Sequence, residues 1–311
     1  MKRAILFAAV FCAGLACRAQ AIEPSATYLF ARRDTCSLYL DVYDPAEGSQ
    51  TTLDGKAKPT ILFIFGGGFI GGHRDSPSYL PWFRKYTEDG YRVVSIDYRL
   101  GLKGKGNVGL RDIPVFHNAV EAGVEDAYSA TVFLIDNASA LGIDPSGIVL
   151  SGSSAGAIIS LQAEWHLCNR TALAQVLPED FRYAGVMSFA GAVFSREGKA
   201  RFDREPAPVL FLHGTDDKVV PYRQIWFFRN RFAGSRVLCR SFIKKGWNYN
   251  IYRFDGRRHE IASAFNETYA EQIRFLETNV IRGQKRIVDA TVDDPDIFRS
   301  TLTRKGLYDK N

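Results

Sequence analysis

Residues Gly147–Gly156 read GIVLSGSSAG. A short apolar strand, Ile148–Leu150, runs straight into a small-residue turn and then into the start of a helix. Within it Gly152-Ser153-Ser154-Ala155-Gly156 matches G-x-S-x-G, the pattern in which a Ser sits on a strained strand-to-helix turn with its hydroxyl exposed. Glycines flank that Ser because the tight turn brings neighbouring backbone too close for a Cβ. The helix N-terminus behind Ser154 adds free N–H groups and the positive end of a dipole. The pentapeptide alone is also what an ordinary strand-to-helix loop looks like. A nucleophilic role for Ser154 therefore requires a base, an acid and an oxyanion hole elsewhere in the chain.

Outward from this stretch, strands alternate with helices. Ser37–Tyr43 alternates apolar and polar residues as a half-exposed strand does. Thr60–Phe65 (TILFIF) is a continuous apolar run, as expected of a central parallel strand covered on both faces. The pattern predicts further strands over Arg92–Tyr98, Ala184–Ala190, Pro208–His213 and Tyr249–Phe254. It predicts helices over Tyr79–Thr87, Ala119–Leu141, Ala155–Cys168, Tyr222–Phe232 and Glu260–Val280. Leu100–Asn118 reads as a long Gly/Lys-rich loop. Such an alternation implies a mostly parallel sheet with helices on both faces. Counted from Ile22, where the mature chain is expected to start, only about 15 residues (Ile22–Cys36) precede the strand at Ser37, and the segment before Pro208 is short, so little or no cap is expected. Lys103, Lys105, Arg196 and Arg201 would then rim an open mouth over Ser154. One catalytic domain is expected over 22–280, with 281–311 a charged appendage holding one short helix at Asp294–Leu302.

The 311 residues are 46% hydrophobic and 24% charged, an ordinary globular balance with enough apolar material for a large core. The formal net charge is +6, but the first 21 residues contribute Lys2, Arg3 and Arg18 and no acid, leaving +3. That is too mild to argue for nucleic acid, and no basic stripe with interleaved aromatics is read in the chain. Met1–Ala21 has the charged start, the apolar stretch Ala4–Ala16 and the Ala19-Gln20-Ala21 site of a secretory signal, implying a secreted or periplasmic protein that starts at Ile22. A rival reading makes Cys17 a lipidated N-terminus, although Gly14 stands where an aliphatic residue is usual. No later stretch is long and apolar enough to cross a bilayer. Export would permit one disulfide among Cys36, Cys168 and Cys239, with the pairing open and none at all equally allowed.

A base is offered by His259, in Asp255-Gly256-Arg257-Arg258-His259-Glu260 between the last strand and the last helix. That position is the carboxyl edge of the sheet, where open α/β sheets bind ligands. His73, His117 and His166 precede any plausible acid, and His213 reads as structural. The acid is Asp216 or Asp217, after the buried strand PVLFLHG; adjacent residues there point in opposite directions, so only one can face His259. The oxyanion hole is offered by Gly67 and Gly68, after the strand at Thr60–Phe65, together with the N–H of Ala155. A phosphate cradle is not supported, because no P-loop or dinucleotide pattern accompanies the glycines. Nothing in this set calls for a metal or cofactor.

Gly66-Gly67-Gly68-Phe69, Asp97-Tyr98-Arg99-Leu100, Gly152–Gly156, His213–Pro221 and Gly256–His259, in that order, resemble the carboxylesterase branch of the α/β-hydrolase superfamily. The likeness is strongest to the short bacterial esterases related to hormone-sensitive lipase and spans residues 37–280. It implies the α/β-hydrolase fold and an ester substrate, either a small molecule or an acylated carbohydrate. It also assigns the acid to the Asp of D-x-x-V-P, which is Asp217. One departure stands out: Phe65 occupies the position of a His that braces the glycine loop in that family. Two other readings keep the same fold, an exported serine peptidase and a non-catalytic binding protein.

Overall fold

The apolar runs at the centre of the chain become neighbouring parallel strands. The computed structural model describes residues 22–105, 112–293, 295 and 297. In chain order the elements are β1 (Ala26–Arg32), β2 (Ser37–Tyr43), β3 (Thr60–Ile64), α1 (Leu80–Glu88), β4 (Arg92–Ile96), α2 (Ile113–Asp136), α3 (Ala138–Leu141), β5 (Ile148–Ser153) and α4 (Ala155–Cys168). There follow β6 (Gly185–Phe189), β7 (Ala192–Ser195), β8 (Val209–Gly214), β9 (Gln224–Phe227), β10 (Asn230–Gly234), α5 (Ser235–Lys245), β11 (Tyr249–Phe254), α6 (Tyr269–Phe275) and β12 (Val288–Val292).

Nine strands form one sheet in the order β1-β2-β4-β3-β5-β6-β8-β11-β12. β1 and β2 pair antiparallel, as do β2 and β4; every other pair is parallel. β3, β5, β6 and β8 are buried at every residue, the continuous burial that helices on both faces impose. The register carries Ile64 beside Gly152, Ser153 beside Phe189, and Phe189 beside Leu212. The carboxyl ends of β3, β5, β6 and β8 therefore finish along one edge. α4 runs back from that edge with every residue except Trp165 buried. Beneath the edge, Phe63 packs edge-on against Trp82 at 5.1 Å and Phe265 at 5.9 Å, while the Trp82 indole N–H donates to Gln272 Oε1 at 2.8 Å.

Several expectations need correction. β1 precedes Ser37 and was not foreseen; its half-buried residues give no clean alternation. α2 starts at Ile113 rather than Ala119, because Pro114 occupies its first turn, where a missing N–H is no loss and the fixed φ suits the helix. Of the expected Leu100–Asn118 loop, residues 106–111 lie outside the described set. The helix expected over Tyr222–Phe232 is the hairpin β9–β10, followed by the unforeseen helix α5. Ile225, Trp226 and Phe227 favour strand over helix. β10 also pairs with β7, giving a second, three-stranded antiparallel sheet. β7 starts three residues after β6 ends, so this small sheet stands at the carboxyl edge. The single long helix expected over Glu260–Val280 is divided into a 3₁₀ turn, His259–Ser263, then α6 and a π-helical turn at Leu276–Ile281. Beyond residue 280, β12 pairs with β11 and extends the main sheet. The expected leader at 1–21, with Cys17, and all but two residues of the short helix expected at 294–302 lie outside the described residues.

Candidate active site

The elbow is built as its glycines require. Ser154 has φ 50° and ψ −112°, a strained conformation for a residue with a side chain and one that costs on the order of 1–3 kcal/mol. The strain holds because the surroundings leave no room to relax. A Cβ on Gly152 would lie 2.3 Å from the Gly156 carbonyl, and one on Gly156 would lie 2.0 Å from the Ile64 oxygen. The start of α4 is thereby pressed against the end of β3. Ser154 N donates to the Phe189 carbonyl at 2.9 Å, tying the elbow to β6.

Ser154 Oγ lies 2.8 Å from His259 Nε2, and His259 Nδ1 lies 2.7 Å from Asp217 Oδ2. An ionised carboxylate only accepts, so Nδ1 carries the proton and Nε2 is left to accept from the Ser154 hydroxyl. All three side chains are buried. The other carboxylate oxygen of Asp217 accepts the Val219 and Val220 N–H groups at 2.8 and 3.0 Å. Burial alone would raise the Asp217 pKa; hydrogen bonds from His213 and His259 outweigh it and hold the carboxyl well below the usual carboxylate range. Asp217, not Asp216, faces His259. Asp216 instead donates its N–H to the Arg257 carbonyl, on the segment that leads to His259.

The structure brings the expected base, acid and Ser together, and it places His213, expected to be structural, directly against the acid. His213 is fully buried, with Nε2 3.2 Å from the Val220 carbonyl and 3.5 Å from Asp217 Oδ2, while Nδ1 accepts from Ser235 Oγ at 2.7 Å. It packs behind the acid and fixes the loop that carries it. The His-Gly after a buried strand was the available signal, and only the fold shows what it faces. Ser153 was likewise underread: its hydroxyl donates to the Ala262 carbonyl at 2.6 Å, linking the elbow to the 3₁₀ turn that begins at His259. His73 pairs with Asp75, and His166 with Glu121, neither in contact with Ser154.

The glycine loop lies against the elbow. A Cβ on Gly66 would come within 3.3 Å of Ser154 Cβ, and Gly67 and Gly68 have φ of 135° and 63°. Those conformations, and the 2.0 Å separation between a Gly67 Cβ and the Gly71 oxygen, exclude any other residue at 67. Phe65, where the resembled family has a bracing His, stacks on Tyr98 with ring centroids 4.4 Å apart, and Tyr79 Oη accepts the Gly66 N–H at 3.3 Å. An aromatic brace thus replaces a polar one. Arg99 of the Asp97–Leu100 motif binds the buried Asp126 at 2.9 Å, anchoring the strand end to α2.

Arg196 and Arg201 are part of a cavity other than one built on the triad. They line a polar cavity of about 1210 Å³ between α4 and the small sheet, together with Trp165, His166 and Glu121 and without any of Ser154, Asp217 or His259. Cys36, Cys168 and Cys239 are free thiols, the latter two buried. Among the described residues no helix is long and apolar enough to cross a membrane.

The geometry agrees with comparisons to known proteins. The BD-FAE family model matches residues 40–171, and the Phospholipase/Carboxylesterase model matches residues 114–265. Gut esterase 1 of Caenorhabditis briggsae is 34% identical over 102 residues, which are 33% of this chain and 17% of that protein. Phenmedipham hydrolase of Pseudarthrobacter oxydans is 31% identical over 144 residues, covering 44% of this chain and 26% of that protein. The chain thus spans between 17% and 26% of the length of these two relatives. Among solved structures, Thermogutta terrifontis esterase 2 phosphoramylated by tabun superposes with a TM-score of 0.60 at 24% identity, over 82% of this chain and 95% of that one. Its propionate-bound form gives 0.59 at 23% identity, over 82% and 94%. The fold is the α/β-hydrolase fold. Within that fold the chain is similar to carboxylesterases over the matched segments.

Proposed function

We propose that the protein is a serine carboxylesterase with Ser154 as nucleophile, His259 as general base and acid, and Asp217 as the group that orients His259. The observation that carries this reading is the hydrogen-bonded relay Ser154–His259–Asp217, at 2.8 and 2.7 Å, on a strained elbow. His259 Nε2 takes the Ser154 proton as Oγ attacks the ester carbonyl, and returns it to the leaving alcohol as the carbon–oxygen bond breaks. Water then attacks the acyl-enzyme with its proton taken by the same nitrogen, releasing the acid and restoring Ser154. Gly67, Gly68 and Ala155 N–H groups hold the developing oxyanion, each such donor contributing about 3 kcal/mol.

Short acyl groups are the favoured substrates, in small esters or on acetylated or feruloylated carbohydrate. The propionate- and butyrate-bound forms of the structural neighbour, and its adducts with tabun, sarin and paraoxon, support a short-acyl pocket and a phosphorylatable serine. A fluorophosphonate probe tests the nucleophile: wild-type protein is labelled and Ser154→Ala is not. Labelling that survives Ser154→Ala overturns the assignment. Comparing kcat/KM on p-nitrophenyl acetate, p-nitrophenyl palmitate, methyl ferulate and acetylated xylan oligosaccharide then ranks the substrates. A preference for palmitate overturns the short-acyl reading.

A further inference from the structure

The most unusual surface of the molecule is the β9–β10 hairpin. Residues 223–229 are exposed without interruption, and four of them are consecutive bulky apolar side chains: Ile225, Trp226, Phe227 and Phe228. Trp226 is 64% and Phe228 81% exposed, and every residue of β9 is open to solvent on both faces. Elsewhere among the described residues, exposed large apolar residues such as Leu53, Val176 and Ile287 stand singly, which is normal; a contiguous cluster is not. Phe228 also sits at the turn with φ 51°, a left-handed conformation that Gly or Asn would adopt with less strain. A large aromatic is therefore held at the tip against the local backbone preference.

The surrounding charge is one-sided. Between Asp217 and Asp255 the chain has nine Lys and Arg and no Asp or Glu. Three of these, Arg223, Arg229 and Arg231, flank the aromatic tip, and Arg231 lies directly opposite Trp226 in the hairpin register. The mild net charge of the whole chain conceals this basic, aromatic-interleaved segment. An apolar tip collared by arginines matches the interface of an anionic bilayer, where aromatic rings enter the headgroup layer and guanidinium groups meet phosphates. A second copy of this chain is a poor occupant. A twofold contact places the same patch on both sides, bringing each copy's arginines against the other's.

We infer that the β9–β10 hairpin is a docking element for an anionic lipid surface, with Trp226 and Phe228 inserting and Arg223, Arg229 and Arg231 binding lipid phosphates. The hairpin is rooted beside the site. It follows Asp217 by a few residues, and Phe232 of β10 packs on Phe116, which packs on Phe69 of the glycine loop. Docking would present the carboxyl edge of the main sheet to the lipid interface.

The test uses the whole protein and vesicles of phosphatidylcholine, with and without phosphatidylglycerol. Wild-type protein should co-sediment with the anionic vesicles, and its tryptophan emission should shift to the blue. The double variant W226S/F228S should bind about tenfold or more weakly, with hydrolysis of soluble p-nitrophenyl acetate and Tm unchanged, since both side chains are exposed. Replacing Arg223, Arg229 and Arg231 by Gln should weaken anionic-vesicle binding by about fivefold per arginine. The inference is overturned if the wild type binds neither vesicle, if it binds the neutral vesicle as well as the anionic one, or if W226S/F228S binds like the wild type. It is also overturned if lipid-free sedimentation shows a dimer that W226S/F228S dissociates. None of these outcomes depends on turnover at Ser154, so failure here is separable from failure of the esterase reading.

Discussion

Two adjacent aspartates, 216 and 217, follow the same strand, and only one can orient the base. Asp217 Oδ2 accepts a hydrogen bond from the His259 Nδ1–H while Oδ1 accepts two backbone N–H groups. Asp217→Asn presents an amide that can donate as well as accept, which favours the wrong His259 tautomer. It should lower kcat by on the order of 10⁴ with KM little changed. Asp216→Asn should cost less than about tenfold, because Asp217 and not Asp216 holds the His259 Nδ1–H. The reverse ranking in steady-state kinetics would sink the assignment. Because Asp217 is held well below the usual carboxylate range, it stays ionised through ordinary acid conditions. Its contribution to stability is present above the carboxyl's unfolded pKa and is lost only as pH falls through the depressed folded value. The acid limb of the wild-type kcat/KM profile should therefore not report Asp217. Ser154, His259 and the Asp216–Asp217 pair were legible because a nucleophile, an acid and a base must each follow a strand at one edge, while the choice of Asp217 rested on the resemblance to the D-x-x-V-P motif. The place of Ser153 was not legible, because its partner Ala262 lies 109 residues away, and that of His213 was not, because the loop that folds Asp217 and Val220 back over it has no periodic pattern.

At the scale of elements, legibility followed burial. Ser37–Tyr43, Ala155–Cys168 and Tyr249–Phe254 were read at their observed bounds, since buried elements must carry their pattern in apolar residues. The Tyr222–Phe232 segment failed for the opposite reason: its central apolar run, Ile225–Phe228, faces solvent, so no periodicity separates inside from outside. β1 and β12, at the two ends of the sheet, are half-buried and carry equally little signal. The contact between β3 and α4 shows what a single Cβ can do at the elbow. Gly156→Ala would place a methyl 2.0 Å from the Ile64 oxygen and 2.6 Å from the Phe65 oxygen, both backbone atoms at the end of a buried strand. Neither can move without shifting the glycine loop that follows. The variant should lose at least about 2 kcal/mol of stability and most of its activity. Gly147→Ala, whose Cβ would meet nothing closer than 3.7 Å, serves as the control and should keep both. Equal behaviour of the two in thermal unfolding would contradict the packing argument.

Across the whole molecule, three acids outside the site are buried among the described residues, Asp41, Asp126 and Glu164, and burial raises the pKa of Glu164. Glu164 lies fully inside, on α4, and its Oε1 accepts the Ala207 N–H at 2.8 Å and the Cys168 thiol at 3.2 Å. Its Oε2 is buried and has no hydrogen-bond partner among the described residues. Burial raises its pKa; the Ala207 and Cys168 hydrogen bonds and the charges of Arg204 and Arg182 offset this only in part. A carboxyl whose folded pKa is raised favours folding while protonated and loses that advantage as pH rises through its folded value. Glu164→Gln keeps the acceptor for Ala207 N–H and resembles the protonated acid at every pH. The Tm difference, variant minus wild type, should therefore be more positive at pH 8 than at pH 4, with each 1 kcal/mol appearing as roughly 2–4 °C in a chain of this size. Because every other titrating group is common to both proteins, the comparison isolates this carboxyl. A difference that is flat with pH, or that falls as pH rises, would show that Arg204 and Arg182 hold Glu164 ionised and that α4 is pinned to the Ala207 segment by charge rather than by burial.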